Sequence, residues 1–201
     1  MEIINEETDS NEWSRVVNQK NMAFYKKQVA GCPVVLVKGN AILEGIPLDI
    51  MWNAIADLDL RKSWDTVFST MEVVETNPDG TEIVYSILKA PFGVQSRDFL
   101  QKRTIVHDYP NKGQIIIHFV SVENEKRPVV KKYIRAHTFV SGYFFTELSA
   151  SPLKCKVDIV SQTDIKGLIP KAIVNMFAAS KSKGWVEGYK KGCLKLTKTN
   201  A

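Results

Sequence analysis

Between residues 70 and 163 the sequence alternates β-rich runs with turn signals, and this alternation restricts the fold more than any other feature. The runs MEVVET and TEIVYSILKA flank Asn77-Pro78-Asp79-Gly80, and RDFLQKRTIVHDY and GQIIIHFVSV flank Pro110-Asn111-Lys112-Gly113. YIRAHTFVSGYFFTELS and KCKVDIVSQT are joined across Ala150-Ser151-Pro152. Proline, glycine and asparagine reverse the chain at such points, while β-branched and aromatic residues suit a pleated surface. The pattern predicts an antiparallel meander.

Helices are predicted on either side of it. Residues 10 to about 29 carry Trp13, Val16, Val17, Phe24 and Tyr25 among polar residues behind Ser10, which reads as an amphipathic helix. CPVVLVK and NAILEGI then read as a hairpin turning at Gly39-Asn40. Pro47 opens a helix over PLDIMWNAIADL, and DLDLRKSWDTVF at 57–68 continues as a short one. After the meander a single long helix is predicted over PKAIVNMFAASKSKGWVEGYKKGCLKL, with Ile173, Met176, Phe177 and Ser180 at helical spacing. Helix, strands, long helix is the order of an α+β fold, with a sheet of eight or nine strands around the terminal helix. At 201 residues, one domain over 1–201 is expected.

Composition narrows the function classes. No apolar run is long enough to cross a bilayer, and the acidic start MEIINEETDS lacks the regions of a signal peptide, so a soluble cytoplasmic protein is expected. Cys32, Cys155 and Cys193 are odd in number and widely spaced, as reduced thiols are. No phosphate-binding, dinucleotide, nucleophile-elbow or zinc-protease motif occurs, and His107, His118 and His137 have no metal-ligand spacing. No catalytic residue, cofactor or metal is therefore expected. The net charge of +5 is concentrated at the end: residues 154–201 hold ten lysines against three acidic residues. Such an end suits an anionic membrane surface or nucleic acid, or merely keeps a helix solvated; the lysines scatter around the helix, which argues against nucleic acid.

Three local features ask for an explanation. In DLDLRKSWDTVF, Leu60, Trp64, Val67 and Phe68 fall on one helical side, with Arg61 and Asp65 just beyond Phe68 and half turned inward. Arg before Asp is the weaker order for a helical pair, worth about 0.2–0.5 kcal/mol at best, so helix stability is a poor reason for it. From Arg97 to His107 polar residues fall on both strand faces, so either the strand bulges or its inner face borders something wetter than a core. Gly184, Gly188 and Gly192 recur every four residues in the terminal helix, either for close approach to the sheet or to leave that helix free to shift.

Four stretches together resemble the START family, the steroidogenic acute regulatory protein-related lipid transfer domains. They are DLDLRKSWD at 57–65, APFGVQSRDF at 90–99, Arg135 followed by Ser141-Gly142, and DIKGLIPKAIVN at 164–175, within a core of about 13–196. The resemblance implies a helix-grip fold: a curved antiparallel sheet closed by the C-terminal helix around a lipid tunnel. It implies a monomeric, non-catalytic carrier that moves one phospholipid between membranes, with transient membrane contact. The match is nearest the phosphatidylcholine transfer branch, where Arg61, steadied by Asp65, would meet the lipid phosphate. The aromatic choline cage of that branch falls on Ser86, Phe99 and Phe139, so one wall is missing. Gln101, Ile173 and Phe177 complete the lipid-binding set expected. A sterol or ceramide carrier is the alternative within the family; a nucleic-acid binder and a helix-grip enzyme are the alternatives outside it.

Overall fold

The computed structural model describes residues 12–32, 34–167 and 182–199. Ten strands form one sheet: β1 (Trp13–Gln19), β2 (Met22–Lys27), β3 (Leu36–Glu44), β4 (Phe68–Thr76), β5 (Glu82–Leu88), β6 (Arg97–His107), β7 (Ile115–Ser121), β8 (Ile134–Arg135), β9 (His137–Ala150) and β10 (Leu153–Asp164). They lie in the order β1-β2-β3-β10-β9-β7-β6-β5-β4, antiparallel throughout except for short β8, which runs parallel beside β6. Among the described residues three helices, α1 (Leu48–Ala56), α2 (Leu58–Trp64) and α3 (Ser182–Thr199), complete the chain order.

One core explains the layering. Phe24, Leu43, Ile117, Phe145 and Val157 of the sheet pack with Met51 and Ile55 of α1 and with Val186, Tyr189 and Cys193 of α3. All three helices are tied to this side, since α2 packs on both α1 and α3. This is the helix-grip arrangement, and the α+β reading with its meander from residue 70 holds. A second cluster of Trp13, Tyr25, Leu36 and Val160 buries part of the opposite face.

Two expectations fail for identifiable reasons. From residue 12 on, the stretch expected as a helix does not form one: β1 and β2 pair as a hairpin, Gln19 opposite Met22. The register shifts between Arg15 and Val17, so Val16 is an extra residue, and a bulge in a strand imitates the 3–4 spacing of a helix. Gly39-Asn40 is no turn either, because β3 runs unbroken through it. Gly39 lies opposite Phe24, and a Cβ there would sit 2.2 Å from Cδ1 of that ring. The glycine makes room for a core side chain, a role that sequence does not separate from turning. The added hairpin and the separate short β8, less the two expected runs that merge into β3, bring the sheet to ten strands.

Other expectations are refined. Pro47 is the N-cap of α1 and not its first residue. The second helix stops at Trp64, with Asp65 as its C-cap, so Val67 and Phe68 lie beyond it. Strand β6 shows no register shift against β5 or β7, so the bulge alternative fails there. Its charges are buried and partnered instead. Arg97 donates to the carbonyl oxygens of Gln95, Ile165 and Lys166 at 2.6, 3.1 and 3.1 Å. Asp98 accepts from Arg135 Nε at 3.1 Å and Nη2 at 2.9 Å, and Arg103 pairs with Glu82 and the Ala56 carbonyl. Gly192 does serve close approach, but to Trp64 of α2 and not to the sheet: a Cβ there would lie 2.5 Å from Cδ1 of that indole, whereas one at Gly188 would meet Trp64 at an ordinary 3.6 Å.

Packing also sets the cysteines. Burial pushes the Cys155 thiol up to about 11 and the Cys193 thiol up to about 12, while Cys32 is only half-buried. A thiol reagent at pH 8 titrates one group in the native protein and three after unfolding; fast reaction of a second thiol in the native state would contradict this packing. Gly39→Ala costs about 1–3 kcal/mol of stability in denaturant unfolding, by overpacking against Phe24. With Phe24→Leu in the same chain that cost shrinks; strictly additive costs would show that the ring is not what requires the glycine.

Candidate functional site

Helix α2 is short, and its ends are closely specified. The Asp57 carboxylate accepts from the Leu60 N–H at 2.9 Å as N-cap, and the Asp65 N–H donates to the Arg61 carbonyl at 2.8 Å at the other end. Arg61 and Asp65 are therefore held one turn apart, and both are buried, at 6% and 3% exposure. Arg61 Nε donates to Asp65 Oδ2 at 3.3 Å, and Nη2 donates to the Tyr143 hydroxyl on β9 at 2.9 Å. The guanidinium carbon also lies 5.3 Å from the Tyr143 ring centre and 5.8 Å from that of Phe68. Burial by itself opposes the charge on Arg61; Tyr143 and Asp65 outweigh it, and the guanidinium is held more firmly protonated than usual. Nη1 has no acceptor among the described residues. Arg61 is a fixed cation with part of its fork unused.

That fork faces a cavity of about 230 Å³ between the sheet and the helices. Phe24, Phe119, Ile159 and Trp185 make one apolar part of its wall, and Phe68, Met71, Val84 and Phe99 another. Across the sheet runs a row of neutral polar side chains: Ser86 of β5, Gln101 of β6, Thr138 and Ser141 of β9, and Ser161 and Thr163 of β10. Register pairs part of the set, Ser141 opposite Ser161 and Thr138 opposite Thr163, while Ser86 lies opposite Phe99 and Gln101 opposite Val84. Gln101 Nε2 donates to Thr138 Oγ1 at 2.8 Å, and the hydroxyls of Thr138 and Thr163 are 3.3 Å apart. The hydroxyls of Ser86, Ser141 and Ser161 and the Gln101 Oε1 have no partner among the described residues.

Of the residues singled out from sequence, Arg61, Asp65, Ser86, Phe99 and Gln101 meet in this cavity. Phe139 does not: it is 44% exposed and packs edge-on against His137. The pairing of β9 with β10 shifts so that Gln162 faces Val140 while Thr163 faces Thr138, which leaves Phe139 as the extra residue of a bulge. The aromatic position expected there is filled by Thr138. Ile173 and Phe177 lie outside the described residues. Tyr143, Thr138, Ser161 and Thr163 were missed; on a strand facing a presumed core, alternate polar residues read as the solvent side. Among the described residues no three His, Cys, Asp or Glu side chains group to hold a metal ion.

Known proteins give the same frame. START domain-containing protein 10 from Homo sapiens is 26% identical over 151 residues, 75% of this chain and 50% of that protein. The chain thus spans about half the length of that relative. StAR-related lipid transfer protein 5 from Bos taurus is 27% identical over 169 residues, covering 81% of this chain and 77% of that one. The crystal structure of human STARD10 superposes with a TM-score of 0.82 at 20% identity, over 95% of this chain and 77% of that chain, a likeness of fold. The START domain itself matches residues 3–197. With its sheet, its gripping helix and a match running almost from end to end, this chain belongs to the START domain family.

Proposed function

We propose that the protein is a non-catalytic carrier that shelters one phospholipid beside Arg61 and moves it between membranes. The observation that carries this reading is the buried guanidinium, with donors unused, at the wall of a cavity that is otherwise neutral and largely apolar. A phosphodiester is the lipid group that such a fork suits, through charge-assisted bonds in a dry site. A sterol or ceramide, which has no phosphate, would leave the fork unused. Relatives named as lipid transfer proteins support the general reading. The same relatives support the non-catalytic part, since their names describe transfer and not a reaction. At about 230 Å³ the cavity is below the ~300–1,000 Å³ of a site for a drug-sized ligand, so two acyl chains need it to widen. Helix α3 is the element suited to yield, with three glycines that each cost a helix about 1 kcal/mol.

Delivery needs a docking face. Phe92 is fully exposed on the β5–β6 loop, and Val129 is 70% exposed on the loop before β8. Gln95 Nε2 donates to the Lys131 carbonyl at 2.7 Å, which joins the two loops. Apolar tips flanked by Lys131 and Lys132 suit an anionic bilayer.

With fluorescent phospholipid in donor vesicles, the protein moves lipid to acceptors without releasing fatty acid or head group. Acidic lipid speeds transfer by about 1 kcal/mol per engaged lysine, salt slows it, and Phe92→Asp lowers it. Product released in proportion to protein would sink the carrier reading. Arg61→Met removes a contact worth about 1.5–3 kcal/mol to a phosphate, or roughly ten- to a hundredfold in affinity. It also strands Asp65, at about 3–5 kcal/mol of stability. Arg61→Met with Asp65→Leu separates the two effects: stability largely returns while transfer stays impaired. Recovery of transfer along with stability would make the pair a scaffold only.

A further inference from the structure

We infer that the lipid carried is a phosphodiester with a polyol head group, of the glycerol or inositol kind, in preference to choline or ethanolamine. This rests on the phospholipid reading above and specifies it.

The row across the sheet is the reason. Ser86 is 3% exposed, lines the cavity and offers a hydroxyl with no partner among the described residues. Ser141 and Ser161 offer theirs from facing positions on adjacent strands, and Gln101 offers Oε1. Thr138, wholly buried, is a positioning residue whose oxygen accepts from Gln101 Nε2 and fixes which end of the amide faces the cavity. An acyl chain laid along this row would bury unpaired hydroxyls, so chains belong against the apolar walls and the row belongs to the head group. Its groups are neutral and both donate and accept, which matches hydroxyls and offers an ammonium little.

Beside Arg61, the features that would hold an ammonium are already in use. The ring faces nearest the fork, Phe68 and Tyr143, are occupied by the guanidinium of Arg61 itself. The Asp65 carboxylate is paired with the same group. Phe139, which would have added an aromatic wall, is outside the cavity, and Ser86 stands where another is expected. A choline or ethanolamine cation placed beside Arg61 meets a like charge, with the nearest rings and the Asp65 carboxylate already engaged.

The test is a competition. Purified full-length protein is equilibrated with vesicles holding equal shares of phosphatidylcholine, phosphatidylethanolamine, phosphatidylglycerol and phosphatidylinositol, together with ceramide and cholesterol, then re-isolated and its bound lipid identified by mass spectrometry. The glycerol or inositol lipid is expected to be enriched about tenfold over phosphatidylcholine, as two neutral hydrogen bonds would give. Equal or greater capture of phosphatidylcholine or phosphatidylethanolamine overturns the inference and leaves the phospholipid reading standing. Capture of ceramide or cholesterol alone, or of no lipid, overturns both. Gln101→Leu with Ser161→Ala lowers the ratio of polyol lipid to choline lipid about tenfold, whereas an unchanged ratio in the folded variant overturns the placement of the head group on the row.

Discussion

An aromatic clamp around Trp64 holds the helices to the sheet and, through it, positions the site. The indole N–H donates to the Ala54 carbonyl of α1 at 2.9 Å, and its ring meets Trp185 and Tyr189 of α3 with centroids 5.5 and 5.4 Å away. Trp185 stacks in turn on Tyr143 of β9 at 6.0 Å. Tyr143 is the residue whose hydroxyl accepts from Arg61, one turn before Trp64 on α2. Gly192 lets α3 come close enough for these contacts. Movement of α3 away from Trp64 would therefore disturb the ring that helps to orient Arg61, so cavity width and the aim of the cation are mechanically linked.

The buried arginines show what separates a scaffold charge from a site. Arg97, wholly buried, is spent on three backbone carbonyls and ties β6 to the end of β10. Arg103 is engaged by Glu82 and a helix-end carbonyl. Removing either partner set would leave a charge stranded in low dielectric, which is costly whatever the ligand. Arg61 differs in keeping an acceptor-free nitrogen at the wall of its cavity. Burial of a charge marks structure as often as function; unused donors beside open space are what distinguish the latter.

This distinction explains which features were legible in the sequence. The meander was readable because its turns carry Pro, Asn and Gly between β-branched runs, and the Arg61/Asp65 pair because it is an odd choice for a helix that short. The stretches that identify the family are largely architectural: Arg97 and Asp98 of the RDF run hold carbonyls and Arg135, and so mark the fold without naming the ligand. The first hairpin was illegible because a bulge at Val16 shifts period two toward period three to four. Gly39 misled because room for the Phe24 ring and a reversal of the chain call for the same residue.

The sheet wall of the cavity depends on a still smaller detail. Along β9 the residues that face inward are Tyr143 and Ser141, and two more steps of strict alternation would bring in Phe139. The bulge there adds one residue, turns Phe139 out beside His137 and brings Thr138 in against Gln101 and Thr163. An aromatic wall becomes a hydroxyl wall without any change in the length of the strand or in the hydrogen-bonded partners of its other residues. Backbone register, which no composition or motif records, thus decides whether this face of the cavity is suited to a cation or to hydroxyl groups.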